Sequence, residues 1–257
     1  MFVLQITDPH LYGRADRKLR GVATDESLRV VLDAALARYP DYAALLVTGD
    51  LVQDDPSGYA RLRDACRAIE KPVLCIPGNH DHPAVMAREL ATAPFRLCGA
   101  LSLGAWRIVM LDSSTAGDVG GRLGDAELAR LDEELAGATG HALVCLHHQP
   151  VPMGSRWLDE IGLRDAAEFW RIVDAHPNVR GIAWGHVHQS FDGRRGRVRL
   201  FATPSTGAQF VPTSDRFAID DRPPAFRHFE LDPDGRILSR VHWVEAPARA
   251  ATAVAAG

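Results

Sequence analysis

The sequence predicts an α/β fold with a mixed sheet packed on a second sheet and helices outside. Three observations carry this expectation. Short apolar runs alternate with helical patterns over the first two thirds of the chain, and hairpin-like strands fill the last third. The 257 residues are 46% apolar and 24% charged, enough to build one substantial core.

Taken in order, Phe2–Ile6 reads as a first buried strand. Thr24 is expected to cap a helix with Asp25 and Glu26 in its first turn, Leu28, Val31, Leu32, Ala35 and Leu36 on its apolar face, and Pro40 as its stop. Buried strands follow at 44–47, 73–76, 108–111, 142–146 and 181–184. The stretches 125–135 and 163–173 repeat the helical pattern. Strands at 198–202, 226–231 and 237–244 then alternate with turns at 193–196 and 232–235. Residues 1–245 are expected to form one domain, and the Ala-rich segment 246–257, with little to bury, a disordered tail.

The net charge of −4 offers no global attraction for nucleic acid or an anionic membrane, so any anion site must be local. No run approaches the roughly 18 apolar residues that span a bilayer, and no signal peptide is apparent. Cys66, Cys75, Cys98 and Cys145 show no C-x-x-C spacing and read as reduced thiols of a cytoplasmic protein.

The polar residues are more specific. Asp8 and His10 follow the first strand, Asp50 the second, and Asn79, His80 and Asp81 the third. His147 and His148 follow 142–146, and His186 and His188 follow 181–184. Five strands thus deliver acids, an amide or imidazoles just past their carboxyl ends, where α/β sheets place ligand sites. Gly49, Gly78 and Gly185 each precede one of these residues and permit sharp turns and close approach to an ion. Carboxylates, imidazoles and one amide suit Mn²⁺, Fe or Zn²⁺ better than the all-oxygen preference of Ca²⁺.

The segments Asp8-Pro9-His10, Gly49-Asp50, Gly78-Asn79-His80-Asp81, His147-His148 and Gly185-His186-Val187-His188 resemble the five motifs of the calcineurin-like metallophosphoesterases, in the family's order. The resemblance implies a four-layer αββα sandwich of two mixed sheets flanked by helices. It also implies two divalent or mixed-valence ions, Fe or Mn ahead of Zn. One would take Asp8, His10 and His188, the other Asn79, His147 and His186, with Asp50 bridging; His147 is preferred to His148 because similar chains use the first histidine of such runs. Two divalent ions would bring +4 against −2 from Asp8 and Asp50, giving an acidic chain a local attraction for phosphate.

By the same resemblance His80 is a non-ligand histidine that stabilises transition-state charge. Relatives carry an orienting acid three residues after the bridging aspartate. That position is Gln53 here, so Asp54 is the candidate orienter, and Asn79, His80 and His148 are candidate substrate contacts. The stretches Gln5–Asp8, Gly49–Asp54, Pro77–Asp81, His147–Asp159, Ala202–Thr206 and Gln209-Phe210 further resemble the bacterial class III 3′,5′-cyclic nucleotide phosphodiesterases. The activity they imply is hydrolysis of 3′,5′-cyclic AMP to 5′-AMP by water activated between the metals. Another small diester, a 2′,3′-cyclic nucleotide or a glycerophosphodiester, is the alternative; a non-catalytic scaffold ranks below both. The expected partner is a small phosphodiester rather than nucleic acid or membrane, and the resemblance leaves a homodimer open. Trp157 reads either as loop packing or as a base-stacking ring, and Arg194, Arg195, Arg197 and Arg199 as a solvated hairpin.

Overall fold

The computed structural model describes residues 1–245, so the expected tail at 246–257 lies outside the described residues. Two six-stranded mixed sheets stack face to face. In the first, the order is 237–243, 225–231, 2–6, 44–48, 73–76 and 95–97. The strand Phe2–Ile6 runs parallel to Ala44–Thr48, which runs parallel to Val73–Ile76; Ala225–Leu231 closes against Phe2–Ile6 in the antiparallel sense. The second sheet has the order 191–195, 198–202, 179–184, 141–146, 106–110 and 99–103, parallel at its centre and antiparallel at both edges.

Three apolar clusters define the layers. Val3, Leu46, Leu74, Ile108, Leu143, Phe201 and Phe229 belong to the cluster shared by the two sheets. Leu28, Val31, Leu32, Leu62 and Met86 bring the helices 24–38, 59–65 and 83–89 onto the outer face of the first sheet. Leu128, Leu131, Phe169 and Val173 bring the helices 124–136 and 166–175 onto the outer face of the second. Strands buried on both faces read as continuous apolar runs, which is why the central ones were legible from sequence.

Several expectations need correction. Thr24 is the first residue of its helix rather than its cap; Ala23 holds the cap position, without a side-chain hydrogen bond. The helix expected at 163–173 occupies 166–175. The late strands divide between the sheets, 191–195 and 198–202 joining the second while 225–231 and 237–243 return to the first. The arginine hairpin is exposed at Arg194, Arg195 and Arg197, as expected, and is tethered as well: Arg195 pairs with Asp174, and Arg197 donates to the carbonyls of Val173, Asp174 and His176 at the end of a helix. The four cysteines are free.

Two short hairpins, 18–23 and 209–220, stand outside both sheets. Both border the site described next.

Candidate metal centre

The carboxyl ends of the parallel strands from both sheets meet at one edge of the sandwich. There the chain leaves each strand through residues held in the left-handed region: Asp8 (φ 52°), His10 (φ 47°), Asp50 (φ 50°), His186 (φ 64°) and His188 (φ 48°). Non-glycine residues seldom adopt this conformation, and such strain persists where the surroundings over-determine it. Gly185 makes a different contribution, close approach: a Cβ there would collide with Thr7 Oγ1 and the Asp8 carboxylate.

Hydrogen bonds hold each acid in place. The Asp8 carboxylate accepts from the Thr7 hydroxyl at 2.6 Å and from His186 N–H at 3.1 Å, while Ser205 Oγ donates to the Asp8 carbonyl. Asp50 Oδ1 accepts from His80 N–H at 2.9 Å. Asp81 ties two site loops together by accepting from the backbone N–H groups of Leu51 and Gly78 and from the Tyr59 hydroxyl.

The imidazoles then converge on these acids, His188 and His147 through ring nitrogens whose partner nitrogen is already committed to a carbonyl. His188 Nδ1 lies 2.7 Å from the Ala208 carbonyl, which can only accept, so the ring proton belongs on Nδ1. Its Nε2 lone pair consequently faces Asp8 Oδ1 at 3.2 Å and His10 Nε2 at 3.1 Å. His147 repeats the arrangement, with Nδ1 on the Thr48 carbonyl at 2.8 Å and Nε2 at 3.4 Å from Asp50 Oδ2. His147 Nε2, His186 Nε2 and Asn79 Oδ1 are buried without a hydrogen-bond partner. Imidazole nitrogens and an amide oxygen crowded against two carboxylates form a cavity that demands positive charge.

The ligand atoms of Asp8, His10 and His188 lie within 4.8 Å of one another, as do those of Asp8, Asp50 and His147 and those of His147, His148 and His186. Asp8 and His147 thus link groups that lie side by side, and the donors fit two ions.

Titration behaviour agrees with that polarity. Burial would raise Asp8 and Asp50, but the surrounding histidines hold both below the usual carboxylate range, Asp50 well below it. Burial would lower His147, yet the adjacent Asp50 outweighs it and the pKa rises to about 9. At neutral pH His147 therefore carries a proton toward Asp50 that a bound cation would displace. His10 and His186 are driven mainly by burial to about 4 and about 3, which leaves both neutral and able to donate a lone pair.

His80 stands at the mouth. Its Nδ1 lies 3.0 and 3.1 Å from the two oxygens of Asp54, and Gln53 Nε2 donates to the same carboxylate at 2.8 Å. The candidate orienter Asp54 thus lies against His80, and Gln53 Nε2 is also 2.9 Å from the same ring nitrogen. His148 departs from its expected role as a substrate contact. It is fully buried, with Nδ1 2.8 Å from Ser113 Oγ and its ring 4.6 Å from His186; the backbone of Gly121 packs against it, and it does not line the cavity. His82 is exposed at the start of a helix.

The centre opens into a cavity of about 270 Å³. His10, Asp50, Asn79, His80, His186 and His188 form its floor, and Leu19, Arg20, Val119, Trp157, Phe210 and Phe217 contribute to its walls. Sequence reasoning did not single out Thr7, Arg20, Ser113, Val119 or Phe217. Thr7 and Ser113 offered a weak signal, a small hydroxyl beside a strand end, whereas Arg20, Val119 and Phe217 offered none.

Residues 1–190 match the calcineurin-like phosphoesterase family. The 3′,5′-cyclic adenosine monophosphate phosphodiesterase CpdA of Vibrio vulnificus is 39% identical over 242 residues, covering 93% of this chain and 88% of the relative. The Pseudomonas aeruginosa protein of the same name is 37% identical over 246 residues, covering 94% of this chain and 90% of the relative. A dimetal phosphatase from Danio rerio superposes with a TM-score of 0.65 at 14% identity, over 95% of this chain and 99% of its own, a likeness of fold alone.

Proposed function

The chain belongs to the calcineurin-like phosphoesterase family, a family of metal-dependent phosphoester hydrolases, and from that premise we propose that it hydrolyses 3′,5′-cyclic AMP to 5′-AMP, with residues 1–245 acting as one domain. The observation that carries this reading is the convergence of buried imidazole nitrogens on the Asp8 and Asp50 carboxylates at the base of an open cavity that Asp50, His10, His186 and His188 line. The curated relatives named for cyclic AMP hydrolysis supply the substrate.

In this assignment Asp8, His10 and His188 would hold one ion and Asn79, His147 and His186 the other, with Asp50 shared between them. Iron and manganese suit the mixed nitrogen and oxygen donors, with zinc as the third choice. When bound, the two ions supply Lewis acidity and an acidified water. The chain's own groups do the rest. Asn79 and His80 orient the phosphate, and water enters at phosphorus opposite the 3′ oxygen. As the bond to that oxygen breaks, His80 donates the proton the leaving alkoxide needs, with Asp54 holding the imidazolium through Nδ1–H. Solvent takes the proton released by the water. His148 supports His186 from behind and does not touch substrate.

No helix among the described residues is long and apolar enough to cross a membrane. The free thiols suit the reducing cytoplasm, where we place the protein. The test is hydrolysis of 3′,5′-cyclic AMP, a 2′,3′-cyclic nucleotide and a glycerophosphodiester by protein loaded in turn with iron, manganese and zinc. Release of 5′-AMP from the first at the highest kcat/KM is the expected result. No cleavage of cyclic AMP at any loading overturns the reading.

A further inference from the structure

The two most exposed large apolar side chains among the described residues stand beside the metal centre. Of the five large hydrophobics exposed among the described residues, Val119 (53% exposed) and Phe217 (44% exposed) both line its cavity. Phe217 belongs to an aromatic trio, edge-on to Phe210 at 5.2 Å and to Trp157 at 5.3 Å. Phe210 in turn stacks flat on His188, with centroids 4.0 Å apart and planes 6° from parallel. The aromatic wall is thus continuous with the floor that would receive phosphate.

The wall is held firmly at its ends. Arg20 and Gly21, at φ 51° and 84°, are the two left-handed residues of a tight hairpin turn. That turn carries the Arg20 guanidinium to 4.9 Å from the centre of the Phe217 ring. The Phe217 loop is tied to the short helix bearing Trp157 by the Arg156–Asp215 ion pair, at 3.1 Å.

We propose that Trp157, Phe210 and Phe217, with Arg20 closing over Phe217, form the nucleobase subsite of this cavity. A planar heteroaromatic ring matches this wall: it stacks on aromatic side chains and beside a guanidinium. The wall adjoins His188 and His80, so a base attached through one ribose to a phosphate on the floor lies within the same cavity. The inference rests on the cyclic nucleotide reading above and deepens it from reaction type to substrate recognition.

The test compares ligands with and without a base. On metal-loaded protein, equilibrium dialysis measures the dissociation constants of 5′-AMP and ribose 5-phosphate for the native chain, Phe217→Leu, Phe217→Tyr and Arg20→Ala. In parallel, kcat and KM are measured for cyclic AMP and for the abasic ribose 3′,5′-cyclic phosphate. Phe217→Leu keeps an apolar side chain but removes the ring. It should reduce the preference for 5′-AMP over ribose 5-phosphate by about tenfold to a hundredfold, the range of one lost base–aromatic stack, and should act on KM for cyclic AMP rather than on kcat. Arg20→Ala should show a smaller loss of the same kind, and Phe217→Tyr should retain the preference. An unchanged preference in Phe217→Leu, or an equal loss for both ligands, overturns the subsite. Binding decides this without turnover, so failure to cleave cyclic AMP would remove the functional reading while the dialysis ratio still judged the wall.

Discussion

The floor and the wall of the cavity are built by opposite means. The floor comes from residues within a few positions of strand ends, several held in left-handed backbone and each bound to a neighbouring loop. The wall comes from the 18–23 hairpin, the helix 156–159 and the 209–220 hairpin, none of which belongs to either large sheet. Ligand geometry tolerates errors of only a few tenths of an ångström, whereas stacking on a ring tolerates sliding. The contrast teaches that the reaction type rests on the sheet framework and substrate choice on attachments to it.

The largest expected effect breaks the floor alone. Asn79→Ala should lower kcat by about 10²–10³-fold, the cost of losing one aligned charge-stabilising group, and by the same factor for cyclic AMP and its abasic analogue. Full activity in this variant would disprove the metal assignment. Next is Asp54→Asn, which keeps the shape but removes the charge beside His80 Nδ1; a fall in kcat of about tenfold to a hundredfold is expected, as for a partner that orients another group. Gln53→Ala should fall less, and the reverse order would identify Gln53 as the orienting group.

The seam between the regions should respond more weakly. Phe210→Leu removes the ring stacked on His188 while the His188–Ala208 hydrogen bond remains. Metal affinity, followed by competition with a chelator, should weaken by about tenfold, the lower end for outer partners of a ligand. No change would mean that floor and wall are independent.

The smallest effect is a control remote from both. Tyr39 Oη, His228 Nδ1 and His242 Nε2 lie 2.9 Å from one another, with the charges of Arg38 and Arg240 nearby. Burial first, then His228 and these arginines, lower His242 to about 4. Between pH 6.5 and about 4 the unfolded chain therefore binds a proton that the folded chain refuses, so stability falls on acidification across that window and is retained above it. His242→Gln should flatten that part of the dependence of Tm on pH. A Tm profile that stayed as steep would place the acid sensitivity at the metal floor instead.

Much of this was legible before folding was considered. The strands 2–6, 44–48 and 73–76 announce themselves because burial on both faces demands an unbroken apolar run, and Asp8, Asp50 and Asn79 stand out as polar residues where such runs end. The strands 95–97 and 99–103 were missed because both are mostly half-buried, so their pattern is mixed. Apolar patterning also cannot name a strand's partner, which is why the split of the late strands between two sheets went unseen.

The sequence by itself determined the α/β alternation, the identity of the candidate ligands and their order along the chain, since each depends on neighbours a few residues away. Tertiary structure alone decided that His188 and His147 turn Nε2 toward carboxylates, that His148 is sealed behind Gly121, and that Arg20, Trp157, Phe210 and Phe217 share one wall. The reason is separation: residues 20 and 217 meet only after both sheets have closed, and no local pattern records a contact made across nearly 200 residues of chain.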